Sequence, residues 1–152
     1  MISSNRIDFD EPIQEMITRL ESEHKEFESN LEKVKINIQD KNITLASEII
    51  QSISGKIVHH AVEEEARLMR VIMQKAKQDS AQSVKIVQEH NWVMNFLKNR
   101  IITVEKVSAS SDRGEYEQAK NDLNEFISNL RKNFKEEEEI VFPLALRAEA
   151  AD

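Results

Sequence analysis

Apolar stripes at helical spacing, very few turn-forming residues and short connections predict an all-α protein, folded as an up-down-up-down antiparallel four-helix bundle. The 152 residues include only two glycines and two prolines, and good helix formers such as Glu, Lys, Gln and Leu dominate the rest. Apolar side chains recur at steps of three and four through most of the chain, which is the period of one helix face. Helices of roughly 25 to 35 residues joined by short loops pack as antiparallel neighbours. The expected division is a flexible lead-in over residues 1–10, a bundle over 11–147 and a frayed end over 148–152.

The first helix is expected to start at Asp10 as N-cap, with Glu11 and Pro12 in its first turn. Its stripe reads Ile13, Ile17, Leu20, His24, Phe27, Leu31, Val34, Ile38, and Asp40-Lys41-Asn42 supplies the turn. The second helix begins near Ile43 and runs to about Lys77, with Ile50, Ile53, Ile57, His60, Glu64, Leu68 and Val71 on one face. Gly55 is a weak interior point, at about 1 kcal/mol against alanine. The neighbouring His59 falls with Ser52, Lys56, Glu63 and Arg70 on a polar face, so periodicity selects His60 as the inward histidine.

Gln78-Asp79-Ser80 breaks the pattern. The third helix is assigned the stripe Val84, Val87, His90, Met94, Leu97, Ile101, Val104, and Ser108 to Gly114 form the clearest loop. The fourth helix reads Tyr116, Ala119, Leu123, Phe126, Leu130, Asn133, Glu137, Val141, Leu144. Pro143 removes a backbone donor and is expected to kink or end it.

A net charge of −7 argues against nucleic acid and anionic membrane as partners. With no cysteine, disulfides, zinc ribbons and thiol chemistry are excluded. No run of about 18 apolar residues and no signal-peptide core is visible, and a soluble, cytoplasmic protein is expected.

Polar residues on apolar stripes need a reason. His24 lies about 17 residues before the turn at Lys41, and His60 about 19 after it, a mismatch of about 3 Å along the helices. His90 and Asn133 are similarly level across the third loop, and Glu64 and His90 agree to about one turn. His24, His60, Glu64, His90 and Glu137 therefore collect near one level of the core. Unpaired, each would cost several kcal/mol there, and the two carboxylates would repel. Cations remove both problems, because bridging carboxylates and neutral imidazoles suit Fe, Mn or Zn. Glu63, Glu65, Glu136, Glu138 and Glu139 read as a solvated face, from which any one could orient a ligand imidazole.

The order of these residues resembles the hemerythrin-like, HHE cation-binding family. That family has a His on helix one, His-x-x-x-Glu on helix two, His on helix three and a second His-x-x-x-Glu on helix four. Here these are His24, His60 with Glu64, His90, and Asn133 with Glu137, followed by Glu138-Glu139-Ile140-Val141-Phe142-Pro143-Leu144 in the manner of the family's ending. The resemblance implies a carboxylate-bridged di-iron centre, with Glu64 and Glu137 as bridges, His24 and His60 on one iron and His90 on the other. Asn133 departs from the pattern, standing where a histidine is expected, as a weak or vestigial ligand. Met94 likewise lacks the extra histidine of oxygen-carrying members. Three outcomes stay open: two metals, one metal held mainly at His24 and His60, or a degenerate site in a helical protein-interaction module.

By the same resemblance the ligand is a small diatomic molecule, O2 or NO, and the role is binding, sensing or iron handling. Phe27, Ile57, Met94, Leu97, Leu130 and Phe134 are the expected apolar walls. A di-iron peroxidase- or oxidase-like enzyme is the further alternative. No general acid or base stands out, so no enzyme is inferred.

Overall fold

The computed structural model describes residues 6–107 and 111–150, and these form four long helices with no strand among them. They are α1 (Ile13–Gln39), α2 (residues 43–75), α3 (residues 80–105) and α4 (residues 113–150). Each of the last three contains one wider π-helical turn, at Glu64–Met69, Phe96–Arg100 and Glu137–Val141. The first five residues, 108–110 and 151–152 lie outside the described residues, and with them part of the expected lead-in, third loop and C-terminal end.

Local signals account for most helix ends. Lys41 adopts a left-handed backbone at φ 61°, and the Asn42 side chain accepts the Leu45 N–H at 3.1 Å to cap α2. A capping box starts α4, in which the Asp112 carboxylate accepts the Glu115 N–H and the Glu115 carboxylate accepts the Asp112 N–H.

Three details differ from the sequence reading. The first helix begins after Pro12, which occupies the N-cap position with no side-chain cap, rather than at Asp10. Pro143 does not end α4: the helix continues to Ala150, and Ala148 is buried. In α3 the buried face is Ser83, Ile86, His90, Val93, Phe96, Ile101 and Val104. Val84 is exposed, and Val87, Met94 and Leu97 are only partly buried. The expected stripe was therefore one residue out of phase except at His90, Ile101 and Val104.

The core is divided in two. One cluster joins Phe27 to Ile38 of α1, Ile43 to Ile57 of α2, Val93 to Val107 around α3 and Ala119 to Phe134 of α4. The other joins Ile13 to Leu20, Leu68 to Ala76, Ile86, and Val141 to Ala148. Between them lies a layer of buried polar side chains: His24, His60, Glu64, His90, Asn133 and Glu137. Each fully buried Leu, Ile or Phe contributes on the order of 1.5–3 kcal/mol, so the apolar halves sustain the fold on either side of that layer.

Candidate metal centre

All four helices contribute to the polar layer. On α1, His24 is the one histidine of a stripe that is otherwise apolar and buried. Its Nε2 lies 3.0 Å from His60 Nε2 on α2 and 2.8 Å from Glu137 Oε1 on α4. One turn beyond His60, Glu64 places Oε2 at 3.1 Å from His60 Nε2 and Oε1 at 3.1 Å from His90 Nε2 on α3. Glu137 completes the set, with Oε1 toward His24 and Oε2 at 2.9 Å from His90 Nε2. Each carboxylate thus turns one oxygen to the His24–His60 side and the other to His90.

The outward ring nitrogens fix the tautomers. His24 Nδ1 is 2.7 Å from Glu138, His60 Nδ1 is 2.7 Å from Glu23, and His90 Nδ1 is 2.8 Å from Glu65. An ionised carboxylate only accepts, so each Nδ1 carries the hydrogen and donates it. In a neutral imidazole this leaves a bare lone pair on Nε2, facing inward. Three such lone pairs and four carboxylate oxygens then converge with no hydrogen between them. Both Glu64 oxygens are buried and take no hydrogen bond despite their 3.1 Å neighbours. That arrangement is repulsive unless a positive charge stands inside it.

A proton or a metal ion can supply the charge. With protons alone, burial works against charging the imidazoles, but contacts to Glu137 and Glu64 outweigh it; His24 and His60 rise above the usual histidine range and His90 is pushed up to about 11. Glu64 shifts the other way from an ordinary buried ion pair: burial and then the proximity of Glu137 favour its neutral form. Burial opposes the charge on Glu137 too, yet hydrogen bonds from His24, His60 and His90 hold it well below the normal carboxylate range. A metal fits better than this proton-sharing arrangement, because mixed imidazole and carboxylate donors suit a divalent transition ion. One oxygen or nitrogen from each of His24, His60, Glu64 and Glu137 lies within 4.8 Å of the others, the reach of a single ion. His90 stands outside that group, on the opposite oxygens of the same two carboxylates.

Aromatic rings close the His24–His60 side. Phe134 stacks on His24 at 4.2 Å between centroids, Phe142 at 5.7 Å, and Phe27 meets His60 edge-on at 5.4 Å. Of the expected walls, Met94 and Leu97 are the less buried members. Phe142 was not among them.

Arg19 braces the outside. Its guanidinium reaches Glu11, Glu23 and Glu63, at 2.8, 2.9 and 2.7 Å. Glu63 is 4% exposed, so it belongs to this buried ion network and not to the solvated face the sequence suggested. His59 is half-buried and touches only Glu63, at 3.4 Å. It does not enter the centre.

Asn133 is buried at the same level, 2% exposed, and donates its Nδ2–H to Glu89 Oε1 at 2.8 Å.

Sequence reasoning missed Glu23 and the specific partners of Glu65 and Glu138. A signal existed: Glu65 and Glu138 each directly follow a stripe glutamate, and Glu23 directly precedes a stripe histidine.

A helical bundle with a buried imidazole–carboxylate layer across its middle has the build of a cation-binding helical protein. The family model for the hemerythrin HHE cation-binding domain matches residues 15–145, and the chain belongs to that family. Among curated proteins and among solved structures, nothing matches it.

Proposed function

We propose that the chain is a non-haem iron protein whose centre holds a carboxylate-bridged pair of ions and takes up O2 or NO, or handles iron. The observation that carries this reading is the split of both carboxylates between His24–His60 and His90. In this assignment His24 and His60 hold one ion, His90 the other, and Glu64 and Glu137 bridge. Iron so held supplies open coordination positions to a small diatomic ligand. The residues around it do the rest: Glu23, Glu65 and Glu138 keep the Nδ1 protons in place, and Phe27, Phe134 and Phe142 keep water from the His24–His60 side.

The connectivity is read as up-down-up-down. Support comes from the two apolar clusters, one uniting the residues flanking the first and third connections, the other uniting the chain ends with those flanking the second. No described helix is long and apolar enough to cross a membrane.

The test is anaerobic reconstitution with ferrous iron, measuring iron per chain and the absorption spectrum before and after air or NO. About two irons per chain with a new near-ultraviolet charge-transfer band is the expected result. No metal uptake, with thermal stability indifferent to iron, would sink the reading.

A further inference from the structure

Four carboxylates stand behind the polar layer, and they form a closed ring around the bundle. Glu23 of α1 holds His60 of α2, at 2.7 Å. Glu65 of α2 holds His90 of α3, at 2.8 Å. Glu89 of α3 holds Asn133 of α4, at 2.8 Å. Glu138 of α4 holds His24 of α1, at 2.7 Å. Every helix supports a side chain of the next one, and the fourth member of the ring supports an amide where the other three support imidazoles.

The same equivalence is written along the chain. Glu23 and Glu89 each directly precede a histidine of the layer, while Glu65 and Glu138 each directly follow one of its glutamates. His60 and Asn133 each stand four residues before such a glutamate. Asn133 is therefore the counterpart of His60, buried as deeply and braced in the same way. An asparagine that had merely replaced a lost ligand would not need this brace. Because a carboxylate only accepts, the end of the amide facing Glu89 must be Nδ2, and the side chain's remaining lone-pair donor is the carbonyl oxygen.

We propose that Asn133 is a metal ligand through Oδ1, that Glu89 is its positioning residue, and that the centre consequently binds two cations of unequal affinity. This rests on the di-metal reading above. The His24–His60 position is rich in nitrogen. The His90–Asn133 position has one imidazole and is otherwise served by oxygen, so it is the weaker and harder of the two.

The test is anaerobic titration of the metal-free full chain with Fe(II), and with Co(II) as a visible-absorbing probe, following heat and absorbance. Wild type should take two equivalents, the second at least about tenfold weaker, with a distinct cobalt spectrum for each. Asn133→Ala and Glu89→Ala should each weaken the second equivalent by about 10–100-fold, the usual effect of removing a ligand's support, and leave the first unchanged. Glu89→Gln keeps an accepting oxygen and should restore most of the loss.

Equal affinities, a single equivalent, or a second equivalent indifferent to both alanine variants would overturn the proposal and spare a simpler metal site. Sensitivity to Glu89→Ala but not to Asn133→Ala would make Glu89 itself the ligand, which also overturns it. No uptake by wild type would remove the di-metal reading as well. If Asn133→Ala fails to fold, judged by its melting in chelator, the contrast between Ala and Gln at the half-exposed Glu89 decides.

Discussion

Adjacent histidines give a sharp test of the centre. His60 is 3% exposed, with Nε2 at 3.0 Å from His24 and 3.1 Å from Glu64 and with Nδ1 on Glu23. His59 touches only Glu63 from a half-exposed position. Metal at a thousand times its dissociation constant stabilises a folded protein by about 4.1 kcal/mol. For a chain of this size each kcal/mol moves the melting temperature by about 2–4 °C, so loading wild type should raise it by about 8–16 °C. His60→Ala should abolish that increment. It should also destabilise the metal-free protein by about 2–4 kcal/mol, through the cavity and the unpaired Glu64 and Glu23. His59→Ala should keep the increment and change the metal-free protein by less than about 0.5 kcal/mol. Differential scanning calorimetry with and without ferrous iron, under anaerobic conditions, reads all four quantities. A metal increment lost in His59→Ala and kept in His60→Ala would refute the inward assignment.

Metal-free and loaded protein should respond to pH in opposite senses. Histidine pKa values raised in the folded state, His90 to about 11, contribute stability that is full below about 6.5 and is lost as pH rises toward 11, whereas Glu137, held low, contributes above about 4.5 and fails in acid. Melting in chelator should therefore fall from pH 6 to 9, while metal affinity rises as protons leave the ligands; parallel trends would contradict the shared-proton account. Arg19→Met leaves the buried Glu63 without its main partner, and with Arg19 about one-third exposed the loss should be roughly 2 kcal/mol in urea unfolding. Gly55 is helical and exposed, and an added Cβ would meet nothing within 4 Å, so Gly55→Ala should stabilise by about 1 kcal/mol and leave metal uptake unchanged. Asn133→His supplies the imidazole that His60 has in the other half, and should tighten the weaker equivalent by about tenfold or more in the same cobalt titration.

The positions of His24, His60, Glu64, His90, Asn133 and Glu137 in a buried layer were legible because each interrupts an apolar stripe. What was not legible in α3 has a local cause. Ile86 lies beside Val87, Val93 beside Met94 and Phe96 beside Leu97, so two neighbouring faces are equally apolar and periodicity cannot choose between them. His90 belongs to both, which is why its place came out correctly from the wrong stripe. The supporting carboxylates were hidden for a related reason. Neighbours on a helix point about 100° apart, so Glu65 and Glu138 look like surface residues until the opposing helix brings an Nδ1 to meet them. Glu63 looked solvated for want of any way to see Arg19 arriving from α1.

The wider turns were written into the spacing. Along α1 the steps of four and three alternate strictly, and that helix has no π-helical turn. In α2 the stripe takes two consecutive steps of four at His60, Glu64 and Leu68, and in α4 it does so again at Asn133, Glu137 and Val141. Two fours in succession leave the stripe one residue long, and a π-helical turn absorbs one residue without breaking the helix. The structure has such turns starting at Glu64 and at Glu137. Phe142 N–H bonds back to Glu137 O at the end of the second, and Pro143 follows at once. Its missing donor thus falls where the wide register returns to the α-helical one, which explains how a proline sits inside a helix that continues. Both candidate bridging carboxylates therefore stand where their helices change register, one in each half of the chain. Deleting one residue from either turn should restore an even stripe and rotate everything beyond it by about 100°. The apolar cluster past the centre would then lose its buried face, so the extra residue is what lets each helix serve the polar layer and both cores at once.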